Sequence, residues 1–223
     1  MKRFFSPILI AMLVVFATSC RSKAPKTGGT TQSTAQAVAN DEQQITLSGA
    51  FALYPLAVIW ADEFKKLHPE VKIDISAGGA GKGMTDVLAK VVDLGMVSRE
   101  IYPQETEKGA LAFAVAKDAV VPTVNAENPM IKDILAKGLK RDAAVKLWID
   151  ETYKTWGDVI GTPGTTPVHV YTRSDACGAA ETWALWMGAK QEDLSGTAVF
   201  GDPGVASAVQ KDKLGIGLNN IGY

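Results

Sequence analysis

Residues 75–86 read ISAGGAGKGMTD, a β-like run followed by four glycines, one lysine and a helix start. A strand, a glycine-containing turn and a helix start recur at 45–60, 71–88 and 168–187. This alternation predicts an α/β domain with a largely parallel sheet. Each helix start presents unpaired backbone N–H groups and the positive end of the helix dipole. The three turns are therefore candidates for an anion site.

The glycine stretch does not fit either common nucleotide motif. A Walker A loop needs a glycine five residues before its Gly-Lys pair and a Ser or Thr after it, but Ser76 and Gly83 stand there. Gly79, Gly81 and Gly83 give G-x-G-x-G, which lacks the spacing of a dinucleotide fingerprint. We therefore set ATP and NAD aside as ligands.

Further elements follow from the hydrophobic pattern. The run QITLSG predicts a strand ending at Gly49, and YPLAVIWADEFKKLHP predicts a helix that stops at Pro69. A short helix is predicted at 84–91 and a single longer one at 133–149. The run VHVYTR then predicts a strand, and AAETWALWMG predicts a helix closed by Gly188. The tryptophans of the predicted helices lie at core spacing.

The first twenty residues are typical of an export signal. A basic start precedes an apolar run at 8–16, and small residues then lead to Cys20. The small residues before a cysteine resemble a bacterial lipoprotein processing site, so 1–20 is predicted to be a lipoprotein signal peptide with Cys20 as the lipidated first mature residue. An ordinary cleaved signal is the alternative. Residues 21–43 are polar and lack an apolar period, which predicts a flexible tether.

Composition limits the classes of function. At 223 residues, 47% hydrophobic and 21% charged, the chain fits a soluble globular protein. Removing Lys2 and Arg3 leaves 21 basic against 24 acidic residues, a net charge of −3, which argues against nucleic acid as a partner. No metal-ligand spacing is present.

Cys177 raises a catalytic alternative. A thiol at a helix N-terminus, four residues after Arg173, is expected to have a lowered pKa. A hydrolase also needs a base, and only His68 and His169 are available. Neither lies in a catalytic pattern, so this hypothesis is disfavoured. Because Cys20 is the only other cysteine, no internal disulfide is expected in the lipidated chain.

Five blocks occur in the order and spacing of the phosphate-binding proteins of bacterial ABC importers. The blocks are SGAFALYPLAVIWADEF, ISAGGAGKGMTDVLAKVVDLGMVSREI, DAVVPTVNAENP, RSDACGAAETW and KLGIGLNNIGY. The resemblance runs from Ile45 to Tyr223. It implies a two-lobed α/β periplasmic-binding-protein-like fold of type II, with lobe I at 44–117 and lobe II at 118–223. Because family members usually continue past the last block and return to lobe I, lobe I is expected to be incomplete. Either the chain is C-terminally truncated, or it is a degenerate relative whose cleft is incomplete.

The resemblance implies a cleft in which backbone N–H groups, hydroxyls and one arginine hold a tetrahedral oxyanion. Carried over residue by residue, the ligand-binding positions are Ser48, Ala50, Phe51, Ala52, Ala80, Gly81, Ser98, Arg99, Arg173, Cys177, Gly178 and Ala179. The chain departs from the family by placing Ala or Phe at 50–52, Ala at 80 and 179, and Cys at 177, where Ser or Thr is usual. The missing hydroxyls leave the identity of the anion open.

The residues Ser98 and Arg99 also leave open whether the site selects phosphate over sulfate. Strongly phosphate-selective family members carry an aspartate near this point, whose carboxylate accepts a proton from HPO₄²⁻ and repels sulfate. Ser98 and Arg99 stand there instead, so sulfate exclusion is not expected. Arg99 is either a ligand or a partner of Glu100 or Asp93.

The resemblance therefore implies a monomeric, lipid-anchored solute-binding protein of the cell envelope that captures an oxyanion, foremost phosphate, for an ABC permease. It implies no enzyme, no cofactor, no metal, no nucleic acid and no membrane contact beyond the anchor. Two alternatives stay open: a binding protein for another oxyanion or small acid, and a sensor or interaction lipoprotein that kept the fold.

Overall fold

A computed structural model describes residues 43–223. The predicted signal peptide, Cys20 and residues 21–42 of the predicted tether lie outside the described residues. No helix within 43–223 has the length and apolar character needed to cross a bilayer.

The strands form two separate sheets. The first has the order β2-β1-β3 and the second has the order β4-β7-β5-β6. The first sheet is parallel throughout, and in the second only β4 runs antiparallel to its neighbour. The strands are β1 (Gln43–Gly49), β2 (Val71–Ala77), β3 (Leu94–Met96), β4 (Val120–Val124), β5 (His169–Arg173), β6 (Thr197–Val199) and β7 (Gly215–Asn220).

Eight helices connect the strands within residues 43–223, and five of them pack on the sheets. They are α1 (Tyr54–Leu67), α2 (Ala80–Leu88), α3 (Pro103–Glu107), α4 (Ile131–Lys137), α5 (Arg141–Trp148), α6 (Trp156–Ile160), α7 (Gly178–Met187) and α8 (Gly201–Lys211), with a 3₁₀ turn at Gln191–Asp193. We call the first sheet with α1 and α2 lobe I, and the second sheet with α5, α7 and α8 lobe II. The α/β class with largely parallel sheets is confirmed, while the predicted boundary between 117 and 118 stays a prediction.

Helix α2 lies unusually close to the first sheet. A Cβ atom on Gly83 would lie 2.5 Å from the carbonyl oxygen of Met96, 2.8 Å from that of Ser48 and 2.9 Å from the Cα of Gly49. A Cβ on Gly95 would likewise lie 2.6 Å from the carbonyl oxygen of Gly83. Glycine is therefore required where the backbones of α2, β1 and β3 meet.

The two lobes have different cores. Lobe II buries a large apolar cluster that includes Leu147, Trp148, Trp156 and Leu218, all at most 2% exposed. Trp183 joins it, with ring centroids 5.4 Å from Trp148 and 4.9 Å from Trp186. The buried cluster of lobe I contains only Ala50, Ala57, Ala80 and Met96. Most of the hydrophobic stabilisation of the described residues therefore lies in lobe II.

Three expectations about the elements are wrong. Helix α2 begins at Ala80, four residues earlier than expected, so Gly81 and Gly83 lie within the helix and Gly79 is its N-cap. The single helix predicted at 133–149 is divided at Gly138, whose φ of 66° is left-handed and ends α4. Trp60 and Trp186 are 43% and 42% exposed and are not core residues.

Replacing Gly83 with alanine tests the close approach of α2. Alanine normally stabilises a helix interior by about 1 kcal/mol relative to glycine. Here the added Cβ meets three backbone atoms that cannot move independently, so Gly83→Ala should lower the free energy of unfolding by about 1–3 kcal/mol. Urea unfolding followed by circular dichroism measures this change.

Gly81→Ala is the matched comparison in the same helix. Its Cβ would lie 3.3 Å from the Cβ of Ala176, a contact that small shifts relieve. We expect a change within about 1 kcal/mol for this variant. A Gly83→Ala protein as stable as the wild type would contradict the close packing of α2 on the first sheet.

Candidate anion site between the lobes

The N-termini of α2 and α7 meet between the lobes. The amide N–H of Gly81 donates to the carbonyl oxygen of Ala176 across 3.3 Å. A Cβ on Gly79 would lie 3.0 Å from a carboxylate oxygen of Asp175. The turn after β2 therefore contacts the turn after β5 directly, as the resemblance implies.

Ser98 and Gly178 form a second contact between the lobes. A Cβ atom on Gly178 would overlap the carbonyl oxygen of Ser98 and lie 2.6 Å from its hydroxyl oxygen. Only glycine allows the first turn of α7 to reach the segment after β3. The two predicted site residues are thus brought together.

Several amide groups at these turns remain available to a ligand. Within residues 43–223, the N–H groups of Phe51, Ala80, Gly178 and Ala179 have no hydrogen-bond partner. The last three belong to the first turns of α2 and α7, where no intrahelical acceptor exists. These N–H groups and the helix dipoles suit an oxyanion.

Other predicted donors already have partners in the protein. The amide N–H groups of Ala50 and Cys177 donate to the carbonyl oxygen of Met96 (2.8 Å) and to Oε1 of Gln191 (3.2 Å). The Ser48 hydroxyl donates to Asp86 at 2.6 Å. Ala52 lies in the turn before α1, beside Phe51. The ligand roles of these residues stay predictions.

Arg173 lies in a buried cluster of charges. Its Nε and one terminal nitrogen donate to Asp175 at 2.9 and 2.7 Å, and its other terminal nitrogen donates to Asp202 at 2.7 Å. All three side chains are at most 6% exposed. Because a guanidinium has five N–H groups, two remain for a ligand oxygen.

The sequence did not point to several members of this cluster. Asp202 accepts from the backbone and side-chain nitrogens of Asn220, both at 2.9 Å. Asp175 accepts from the amide of Gly201 at 3.0 Å. Asp175 was within reach of a sequence argument because it lies two residues after Arg173. Asp202 and Asn220 come from α8 and β7, and no local pattern connects them to the turn.

Phe51 occupies a position where the resemblance implies a Ser or Thr. Its ring lies 5.8 Å from the guanidinium carbon of Arg173 and packs edge-on against Phe200 at 5.7 Å. Its carbonyl oxygen accepts from the Tyr223 hydroxyl at 2.9 Å. Phe51 therefore joins lobe I to lobe II and covers part of the arginine.

Arg99 has a partner that the sequence did not suggest. Its two terminal nitrogens donate to Glu105 at 2.9 and 2.6 Å, and its guanidinium stacks on the Tyr102 ring at 4.2 Å. The Tyr102 hydroxyl donates to Glu181 of α7 at 2.8 Å. Glu105, and not the side chain of Glu100 or Asp93, is the carboxylate to which Arg99 donates, and the Arg99 Nε lies 4.0 Å from the carboxylate of Glu181. The group connects the lobes beside the helix N-termini.

Cys177 does not have the expected chemistry. Burial raises the pKa of its thiol to about 11, and the nearby charge of Arg173 only partly opposes this. The sulfur accepts from the amide of Ala180 as the N-cap of α7. His169 contacts Asp212 at 2.7 Å. The expectation of a lowered pKa is wrong, and the hydrolase hypothesis loses its nucleophile.

The side chain of Lys82 lies against Gly78 of the turn, and its ammonium group forms an ion pair with Asp86 on the next turn of α2. The hydrogen bond from Lys82, together with that from Ser48, lowers the pKa of Asp86. Lys82 is thus a surface ion-pair residue. Among residues 43–223, no group of three His, Cys, Asp or Glu side chains is arranged to hold a metal ion.

Two α/β lobes that meet through helix N-termini define a solute-binding protein fold. Residues 26–223 match the model of a family described as a PBP superfamily domain, and the chain belongs to this family. Its relatives are binding proteins by name, so the family is not one of enzymes.

Curated relatives match over much of the chain. The phosphate-binding protein PstS of Pseudomonas aeruginosa is 28% identical over 197 residues, which cover 78% of this chain and 58% of the relative. PstS of Xylella fastidiosa is 26% identical over 246 residues, covering 97% and 65%. The chain thus spans less than two thirds of the length of these relatives.

Solved structures share the fold. A phosphate ABC transporter substrate-binding protein from Clostridium perfringens with bound phosphate has a TM-score of 0.68 at 24% identity, covering 81% of this chain and 72% of that chain. An ABC-type phosphate transport receptor from Vibrio cholerae has a TM-score of 0.58 at 20% identity, with the same coverage. The predicted two-lobed fold and family are confirmed.

The ion pair of Arg99 with Glu105 predicts a dependence of stability on pH. The hydrogen bond from Arg99 lowers the pKa of Glu105 below its ordinary 4.5, against the opposing effect of burial. The pair therefore stabilises the folded state above about pH 4.5, and this contribution is lost as pH falls through the lowered pKa. Glu105→Gln should lower the free energy of unfolding at pH 7 by about 0.5–1 kcal/mol. The variant should also lose less unfolding free energy than the wild type as the pH falls.

Chemical unfolding at several pH values between 3 and 7 measures the effect. Glu100→Gln is the matched control, since Glu100 contributes only its backbone carbonyl to Arg99. If both variants decline in acid as steeply as the wild type, the ion pair does not stabilise the fold.

Proposed function

We propose that the chain is a solute-binding protein that captures phosphate between its lobes and delivers it to an ABC permease. The observation that carries this proposal is the meeting of the α2 and α7 N-termini, where the amides of Ala80, Gly178 and Ala179 have no partner within residues 43–223. Phosphate binding by the named relatives supports the choice of ligand.

Binding requires no covalent chemistry. The amides and helix dipoles replace the water around the oxyanion, and Arg173 offers its two remaining N–H groups. Contacts between the lobes, such as Gly81 with Ala176 and Tyr102 with Glu181, hold the cleft closed. The ligand and these contacts therefore stabilise the same closed form.

The cell-envelope location is part of the proposal. We infer that Cys20 carries a lipid, that residues 21–42 tether the domain to the membrane, and that a monomer meets the permease there. Support comes from the export-like first twenty residues and from the resemblance to a lipoprotein processing site.

A second function is favoured by the packing of Phe51. Its ring covers part of Arg173, and the site has alanine or cysteine where the family has hydroxyls. These features support a binding protein for another small acid, or a sensor lipoprotein that has kept the fold.

Calorimetry on the purified full chain separates these functions. Saturable heat with phosphate supports the transport proposal, and heat with only another acid supports the second function. Absence of heat with phosphate, sulfate and other oxyanions at millimolar concentration would contradict oxyanion capture altogether.

Restoring a hydroxyl to the first turn of α2 should strengthen phosphate binding. Ala80 is fully buried at the start of the helix, and Ala80→Ser adds a donor beside an available amide. One added hydrogen bond is expected to contribute about 1 kcal/mol, or roughly five-fold in Kd. Calorimetric titration with phosphate measures the change.

Ala112→Ser serves as the control because Ala112 is exposed and outside the site. It should leave the phosphate Kd unchanged. If Ala80→Ser folds normally and binds no better than the control, Ala80 does not face the ligand.

A further inference from the structure

Two carboxylates bind the guanidinium of Arg173 at the proposed anion site. Asp175 accepts from Nε and one terminal nitrogen at 2.9 and 2.7 Å, and Asp202 accepts from the other terminal nitrogen at 2.7 Å. The three side chains are at most 6% exposed, so water and salt screen their charges only weakly. One positive and two negative groups leave this cluster with one net negative charge.

The hydrogen bonds of Asp202 are those of an ionised carboxylate. One oxygen accepts from Arg173, and the other accepts from the backbone N–H and the side-chain amide of Asn220, both at 2.9 Å. All three partners are nitrogen donors, and an ionised carboxylate has only acceptor sites. Asp202 also lies in the first turn of α8, where the helix dipole favours negative charge. It therefore adds a full negative charge beside the arginine.

The cluster borders the amides that are available to a ligand. A carboxylate oxygen of Asp175 would lie 3.0 Å from a Cβ on Gly79, the N-cap residue of α2, and the available amide of Ala80 comes next in the chain. The ring of Phe51, whose amide is also available, lies 5.8 Å from the guanidinium carbon of Arg173. An oxyanion held by these amides is therefore within range of the charges of the cluster.

Two titratable groups beside the cluster respond to its negative charge. Burial raises the pKa of the Tyr223 hydroxyl, and the charge of Asp202 raises it further against that of Arg173. Burial also raises the pKa of the Cys177 thiol to about 11, and both carboxylates add to this rise while the arginine opposes it. With Arg173 and Asp175, these are the titratable groups that face Asp202 in the described part of the chain. The cluster therefore disfavours additional negative charge.

The charge of the ligand decides how well it is held beside this cluster. The N-termini of α2 and α7 each offer roughly half a positive charge, which the net negative charge of the cluster offsets. Such a site can hold a singly charged oxyanion, whereas a second charge on the ligand adds repulsion from both carboxylates. Ser98 and Arg99 give no reason to expect such discrimination, because its source lies in lobe II.

We propose that Asp202 makes the site selective for a singly charged oxyanion, such as dihydrogen phosphate, over a doubly charged one. The inference rests on the proposed oxyanion site and specifies the charge of its ligand. Both oxygens of Asp202 are engaged within the protein. Asp202 is therefore a positioning residue that acts through Arg173, whose orientation it fixes and whose charge it cancels.

Calorimetry on the full chain with inorganic phosphate and sulfate at pH 6 and pH 8 tests this assignment. Phosphate carries mainly one charge at pH 6 and mainly two at pH 8, whereas sulfate carries two at both. We expect phosphate to bind about tenfold more tightly at pH 6 than at pH 8. The affinity for sulfate should change by less than about two-fold between the same pH values.

The outcomes separate this assignment from the proposed function. Phosphate binding that is equally tight at both pH values, or tighter at pH 8, would overturn the assignment and leave the proposed function standing. A gain at pH 6 that sulfate shares would reflect titration of the protein and would also overturn the assignment. Absence of binding by both anions at both pH values would remove the assignment and the proposed function together.

Asp202→Asn removes the charge and keeps the size of the side chain. It should strengthen phosphate binding at pH 8 by about tenfold and so reduce the difference between the two pH values to less than about three-fold. Asp133→Asn on α4 is the matched control, since Asp133 is exposed and outside the site, and it should keep the wild-type ratio. If Asp202 has only a structural role, its variant weakens binding equally at both pH values, and the assignment is overturned.

Asp175→Asn provides a second variant that removes the other carboxylate of the cluster. It should reduce the ratio of phosphate affinities at pH 6 and pH 8 in the same direction as Asp202→Asn. Circular dichroism and melting temperature of each variant establish that the fold is retained. A folded Asp175→Asn protein with the wild-type ratio would also count against the assignment.

Discussion

The direct contact between the backbone of α2 and the first sheet governs the geometry of the site. Gly49, Gly83 and Gly95 meet at distances that leave no space for side chains. This contact fixes the axis of α2 and hence the position of the Ala80 amide at its N-terminus. It also sets where Gly81 reaches Ala176 of lobe II. The glycines therefore act through backbone packing, and their contribution to anion binding is to position the helix.

The lobes contribute in different ways. Lobe II has a tryptophan-rich apolar core, while the buried cluster of lobe I consists of small residues and one methionine. Between them the contacts are mainly backbone hydrogen bonds, glycine packing and charged groups, with Phe51 as the main apolar link. Polar contacts of this kind exchange with water at modest cost. Such an interface suits lobes that separate and rejoin around a solute.

The sequence predicted most elements because their signals are local. Pro55 lies in the first turn of α1, Gly188 ends α7 in the left-handed conformation, and apolar alternation marks β2. The predicted start of α2 was too late because glycine has a low helix propensity. In the structure, packing on the sheet outweighs that low propensity and the helix begins earlier. Glycine at 138 likewise interrupts an otherwise helical pattern.

The chemistry of the site was less accessible to sequence reasoning. The partners of Arg99 and Arg173 come from distant parts of the chain, and the pKa of Cys177 depends on its burial within the fold. The role of Phe51 depends on Gly201 and Phe200, which approach it from the other lobe. Residue identity alone carries none of this information.

The tryptophan cluster of α7 gives the molecule a built-in optical probe. Trp183 and Trp186 lie on the helix whose first turn forms the proposed site, with Trp148 5.4 Å from Trp183 and Trp186 4.9 Å from it. Indole rings at these separations exchange excitation energy and couple in near-ultraviolet circular dichroism. Because Trp186 is also 42% exposed, its emission wavelength reports the hydration of this helix. Movement of α7 can thus be followed by intrinsic fluorescence without labelling.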